Sequence, residues 1–244
     1  MSGLQKRLLS ALVLVPLVLG IIWLGGLPFY GLVLVMGGLV LREWLRLTHV
    51  WGGISWSRLA GLCYFCLAFL AFLALHHTHG SGFVMFFIGM VWLSDTGAYV
   101  MGRWLKGAKL APKISPNKTW AGFIGALLWP VGLCVLVFLA NPLFCDLFGQ
   151  RSAFDLPTPI FFHTTPSDSL CRLPDWGLLK VSLLGLITGI MGQIGDLLIS
   201  LAKRKAHVKD TGTLIPGHGG ILDRIDSLLL CAIVAWIFLY LHAF

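Results

Sequence analysis

"LLKVSLLGLITGIMGQIGDLLIS", residues 178–200, has one lysine near its start, one aspartate near its end and no other charge. As a helix it is long enough to cross the roughly 30 Å hydrocarbon core of a bilayer. It lacks the alternation of apolar and polar residues that a membrane barrel strand needs, which leaves the helix as the way to satisfy every backbone N–H and C=O in lipid. The same reading gives six more spans at 8–24, 29–47, 58–76, 83–102, 119–140 and 220–243. Bulk composition agrees: 57% of the 244 residues are hydrophobic and 11% are charged, against about 25% charged in a soluble domain. The expected fold is all-α, a polytopic bundle of about seven transmembrane helices forming one integral membrane domain over 1–244. Lys6 and Arg7 precede the first span as they would in a signal peptide. No small-residue cleavage site follows in "IIWLGGLPFYG", so that span reads as a retained helix.

Lys and Arg in the short loops set the orientation. With the N-terminus in the cytoplasm, fifteen of the 18 fall inside, and Arg151, Arg172 and Lys180 fall outside. The expectation is N-in, C-out, with 141–177 as an outside loop, in a bacterial-type inner membrane. The net charge of +8 then faces an anionic leaflet. Nucleic acid is excluded as a partner, because no soluble domain exists to present that charge. Cys63, Cys66, Cys134 and Cys231 read as small apolar residues, whereas Cys145 and Cys171 share the outside loop, where a disulfide is open. The histidines of "LHHTHG", 75–80, read as polar residues at a helix end.

The ten acids sort by position. Asp146, Asp155, Asp168 and Asp175 lie in the outside loop, and Glu43 reads as an interfacial ion pair with Arg42 and Arg46. Asp95, Asp196, Asp210, Asp223 and Asp226 lie at the inner ends of spans four, six and seven. An acid inside a span costs a few kcal/mol, which makes it a marker of a site. Asp196, Ser200 and Lys203 stack on one helix face, as do Asp223 and Asp226. Two inside loops, 103–118 and 201–219, bring nine basic residues to the same membrane face. Ion transport would use the acids but would not need those bases. Phosphoryl or nucleotidyl transfer needs both, because carboxylates hold divalent cations while Lys and Arg hold phosphate oxygens. Gly-rich backbone and a helix N-terminus after "PGHGG" would suit phosphate as well.

"SLAKRKAHVKDTGTLIPGHGGILDRID", 200–226, resembles the signature of the phosphatidate cytidylyltransferase (CDP-diacylglycerol synthase) family through Ser200, Lys203, Arg204, Lys209, Asp210, Pro216, His218, Gly219, Gly220, Asp223, Arg224 and Asp226. Ala202 stands where that family usually has a larger aliphatic residue. "SDTGAYVMGRWLKGAKLAPKISPNKTWAG", 94–122, is similar to a second family motif through Asp95, Ala98, Tyr99, Gly102, Arg103, Ser115, Pro116, Lys118, Thr119, Trp120 and Gly122. Asn117 replaces its usual first lysine and Ala121 its usual glutamate. The resemblance covers roughly 83–243.

It implies transfer of CMP from CTP to phosphatidate, giving CDP-diacylglycerol and pyrophosphate, with Mg²⁺ and room for a second cation. Asp196, Asp223 and Asp226 are then the expected metal ligands, and Asp196, Asp223, Lys203 and Arg224 the expected catalytic set. Ser115, Lys118, Lys203, Arg204, Lys209, His218, Gly219, Gly220 and Arg224 are the expected phosphate contacts. Asp95, Ser200 and Asp210 would support them. The expected partners are CTP, phosphatidate and the bilayer, and a homodimer is compatible with this reading. Two alternatives stay open: another CTP-using membrane lipid kinase or transferase, and a cation-coupled transporter.

Overall fold

The computed structural model describes residues 3–49, 56–148, 177–214 and 219–241. The elements are α1 (Gly3–Leu24), α2 (Gly26–His49), α3 (Trp56–Leu105), β1 (Lys109–Ala111), β2 (Ser115–Thr119), α4 (Trp120–Phe148), α5 (Gly177–Lys205) and α6 (Leu222–Leu241). Five of the helices, α2 to α6, are long and apolar enough to cross a membrane, and the apolar part of α1, Ser10–Leu24, is shorter.

α3 is not one rod. Gly80 has φ 76° and ψ 176°, a region open essentially to glycine alone. Phe69 and Ile88, on either side of it, line one apolar cavity of about 100 Å³. An unbroken helix would hold them about 28 Å apart. The chain therefore doubles back at Gly80, with arms that match the two runs read as 58–76 and 83–102.

Three expectations need correction. The chain is not wholly helical, because the inner loop 103–118 forms an antiparallel ribbon in which Lys109 pairs with Thr119 and Ala111 with Ser115. A turn closed by the Ile114 N–H on the Ala111 carbonyl joins the strands. α4 runs on to Phe148, into the stretch read as outside loop. Asn141-Pro142 looks like a breaker, yet helices at membrane depth accommodate proline. The Cys145–Cys171 pairing falls outside the described residues. Glu43, the third correction, belongs to the site below.

Small residues set how closely the helices around the site approach. A Cβ at Gly97 of α3 would lie 2.6 Å from the Gly125 carbonyl oxygen of α4, and one at Gly189 of α5 would run into the Ala126 carbonyl of α4. α4 is thus pressed backbone to backbone between α3 and α5. Gly97→Ala should cost about 1–3 kcal/mol through overpacking, seen as a lower thermal midpoint in detergent. Gly31→Ala, where a Cβ meets open space, should show no such loss.

Candidate active site

Asp95 on α3, Asp196 on α5, and Asp223 and Asp226 on α6 line a single cavity of about 300 Å³, together with Tyr99, Asn117, Lys118, Gln193 and Ser227. The helix spacing brings this about. Asp95 and Tyr99 are one turn apart on α3, Gln193 and Asp196 nearly one turn apart on α5, and Asp223 and Asp226 likewise on α6. β2 delivers Asn117 and Lys118 from the fourth side.

Two acids carry a lysine each. Lys118 Nζ lies 2.9 Å from Asp196 Oδ2 and also donates to the carbonyl oxygen (3.2 Å) and side-chain oxygen (2.9 Å) of Gln193. Ser200 donates to Asp196 Oδ1 at 3.2 Å. Lys203 Nζ lies 2.7 Å from Asp223 Oδ1, with both side chains largely buried. Asp223 Oδ2 accepts from the Thr211 N–H (2.8 Å), and lies 3.0 Å from Thr211 Oγ1. It also accepts from the Gly220 N–H at 3.1 Å. Asp226 is buried, and its Oδ1 accepts from the Ser227 N–H at 2.9 Å. Ser227 Oγ lies 3.4 Å from Asp95 Oδ1. Asp95, Asp196 and Asp226 face the same cavity.

Other expected residues lie apart from this cavity. Ser115 begins β2 and is not among the lining residues. Arg204 is exposed and donates to the Ile114 carbonyl, at the turn between the strands, and to the Val208 carbonyl. Lys209, Asp210 and Arg224 are exposed. Gly219 has a positive φ of 86°, and His218 lies outside the described residues. The Gly220 N–H that a phosphate would use is engaged by Asp223.

Glu43 is the clear departure. It is buried rather than interfacial. Its carboxylate accepts from the N–H groups of Ile221 and Leu222, each at 2.9 Å, and from Thr211 Oγ1 at 2.8 Å. The Ile221 and Leu222 amides at the start of α6 are thereby held by Glu43 rather than open to phosphate. Tyr99, Asn117, Gln193 and Ser227 were also passed over as site residues. Their signal is the helix spacing to Asp95, Asp196 and Asp223, and the place of Asn117 beside Lys118.

Residues 53–242 match the cytidylyltransferase family. The chain belongs to that family. Several relatives align with nearly the whole chain. A phosphatidate cytidylyltransferase of Rickettsia conorii is 34% identical over 240 residues, covering 97% of this chain and 91% of the relative. One of Rickettsia bellii is 36% identical over 234 residues, covering 95% and 88%. One of Brucella suis is 30% identical over 288 residues, covering 98% and 94%.

A cytidylyltransferase site has to handle a polyphosphate, and the donor set here is suited to that. Among the described residues no three His, Cys, Asp or Glu side chains form a ready-made metal cage. Mg²⁺ does not require one, since it typically takes one or two carboxylates, several waters and the substrate's phosphate oxygens. Asp196 and Asp226, facing one polar cavity, meet that demand. Both oxygens of Asp196, like both of Asp223, are engaged by protein donors, so a cation at either would displace a lysine, Lys118 or Lys203.

Proposed function

We propose that the protein transfers CMP from CTP to phosphatidate at the inner face of a bacterial cell membrane, releasing pyrophosphate and yielding CDP-diacylglycerol for phospholipid synthesis. The observation that carries this is a membrane-helix cavity lined by Asp95, Asp196, Asp223 and Asp226, in which Lys118 pairs with Asp196 while Lys203, behind the lining, pairs with Asp223. The chain's membership of the cytidylyltransferase family and the names of its relatives supply the nucleotide and the lipid.

The chemistry needs positioning more than proton transfer. A phosphate oxygen of phosphatidate attacks the α-phosphorus of CTP, forming the new P–O bond. The bond from that phosphorus to the bridging oxygen breaks, and pyrophosphate leaves with the electron pair. A phosphate monoester dianion is already nucleophilic, so the protein's task is to hold charge. Mg²⁺, when bound, neutralises charge on the phosphate oxygens. Asp196 and Asp226 would hold it, with Asp95 adding negative potential. Lys118 and Lys203 exchange their carboxylates for phosphate oxygens as the nucleotide enters. Asp223 aims Lys203.

The same reading has seven spans with the N-terminus inside. It is supported by the doubling back at Gly80, which makes two arms of α3, and by the gathering of Lys118, Lys203 and the four acids at one end of the bundle. The acyl chains of phosphatidate then enter laterally between helices.

The test is purified protein in detergent with phosphatidate, Mg²⁺ and each of the four NTPs in turn. CTP, or its deoxy form, should release pyrophosphate fastest, and label from the α-phosphate should appear in lipid. Label arriving only from the γ-phosphate would make it a kinase and end this reading.

A further inference from the structure

We propose that Glu43 is a positioning residue for the transfer, holding from α2 the loop and helix start that aim Asp223 and Lys203. This rests on the function proposed above. Glu43 lies outside the 53–242 that match the family, and it is 6% exposed. A buried carboxylate is unfavourable unless its oxygens are satisfied. Here three donors do so: the N–H groups of Ile221 and Leu222 at the start of α6, and Thr211 Oγ1.

Helix N-termini are ordinarily capped by a nearby Ser, Thr, Asp or Asn. α6 draws part of its cap from Glu43, 178 residues away from Ile221 in sequence. The position of α2 therefore sets where α6 begins, and Asp223 stands in its first turn. Thr211 is held from both sides. Its N–H goes to Asp223, and its hydroxyl oxygen lies 2.8 Å from Glu43 Oε2 and 3.0 Å from Asp223 Oδ2, with one proton to offer the two carboxylates. Space is reserved for this arrangement. A Cβ at Gly212 would lie 2.8 Å from Glu43 Oε1, and one at Gly220 would run into Thr211 Oγ1. These glycines admit a carboxylate of the protein itself.

A residue that only stabilised the bundle would change folding and leave the turnover of folded molecules alone. The full chain in detergent is compared as wild type, Glu43→Gln, Glu43→Asp and Val33→Ala. Val33 is a buried α2 residue in a different cluster from Glu43's surroundings, so its truncation loosens the same helix without touching Thr211. Hydrogen exchange of the peptides spanning 209–214 and 219–222 is read beside kcat and KM for CTP.

Glu43→Gln should speed exchange there and lower kcat by on the order of tenfold or more, as misplacement of about 1 Å can do, with a smaller change in KM. Glu43→Asp should recover part of both. Val33→Ala should lower the thermal midpoint and leave both readouts near wild type. Unchanged exchange in Glu43→Gln overturns the inference whatever the activity. Faster exchange with wild-type kcat also overturns it, reducing Glu43 to a helix cap. If the wild type releases no pyrophosphate from CTP, the proposed function has failed, and exchange alone decides whether Glu43 holds the Asp223 loop.

Discussion

Asp223→Asn should lower CMP transfer by on the order of 100–1,000-fold, the scale of losing one pre-organised electrostatic group. The carboxylate has two jobs that an amide cannot share. Oδ1 holds the Lys203 ammonium at 2.7 Å. Oδ2 gathers the Thr211 and Gly220 N–H groups, which tie the loop to α6. Asparagine keeps one oxygen but turns an NH₂ group toward either the lysine or the amides. Lys203 would then be a largely buried cation without its partner, a change that typically destabilises by about 3–5 kcal/mol. Low activity could therefore reflect misfolding. The double variant Lys203→Met, Asp223→Asn separates the two effects. It should recover much of the thermal midpoint, because no unpaired charge remains, and recover none of the turnover. Turnover that returned with stability would show that the pair is structural. The readouts are pyrophosphate release per folded molecule and thermal unfolding in the same detergent.

The parts of the fold legible in the sequence are those written in continuous apolar length. The spans at 119–140, 178–200 and 220–243 appear as α4, α5 and α6, since an apolar run near 20 residues with so few charges has few other uses. The fold-back in α3 was legible for a different reason: the polar "HHTHGSG" interrupts two apolar runs, and Gly80 supplies the backbone conformation that the reversal needs. The ribbon was not legible. Its strands have three and five residues, too short for a period to emerge. Its pairing depends on where α3 ends and α4 begins.

In the site, the acids announced themselves because a carboxylate inside a span is costly. Their partners did not. Lys118 meets Asp196 and Gln193 across more than 70 residues of chain, so adjacency in sequence carries no hint of the contact. Glu43 shows how local reasoning misleads. Arg42 and Arg46 offered neighbours on the same helix, whereas the donors that hold it come from the far end of the chain. A carboxylate between two arginines has the same sequence pattern whether it turns outward to them or inward to a helix N-terminus. Buried backbone amides decide the matter here, because once removed from water they need acceptors.

Asp196→Asn should be as damaging as Asp223→Asn, again on the order of 100–1,000-fold, and its partner variant tells why. Lys118 and Asp196 neutralise each other across 2.9 Å, with Ser200 bracing the other carboxylate oxygen. Magnesium entering alone would have to displace that ammonium. A triphosphate entering alone would meet the acids facing the cavity. Magnesium and triphosphate together would satisfy both sides, the carboxylate holding the cation and the lysine the phosphate. Lys118→Met should therefore move two affinities in opposite directions. Mg²⁺ or Mn²⁺ without nucleotide should bind several-fold tighter, because Asp196 has lost its competitor. The kcat/KM for CTP should fall by about tenfold or more, because a charge-assisted contact to phosphate is gone. Asp196→Asn should weaken the cation in the same titration while leaving Lys118 free for the nucleotide. Spin-resonance titration with Mn²⁺ and steady-state pyrophosphate release measure the two quantities independently. If Lys118→Met left cation affinity unchanged while kcat/KM collapsed, the lysine would be a phosphate contact alone, and the exchange of partners at Asp196 would have no part in the reaction.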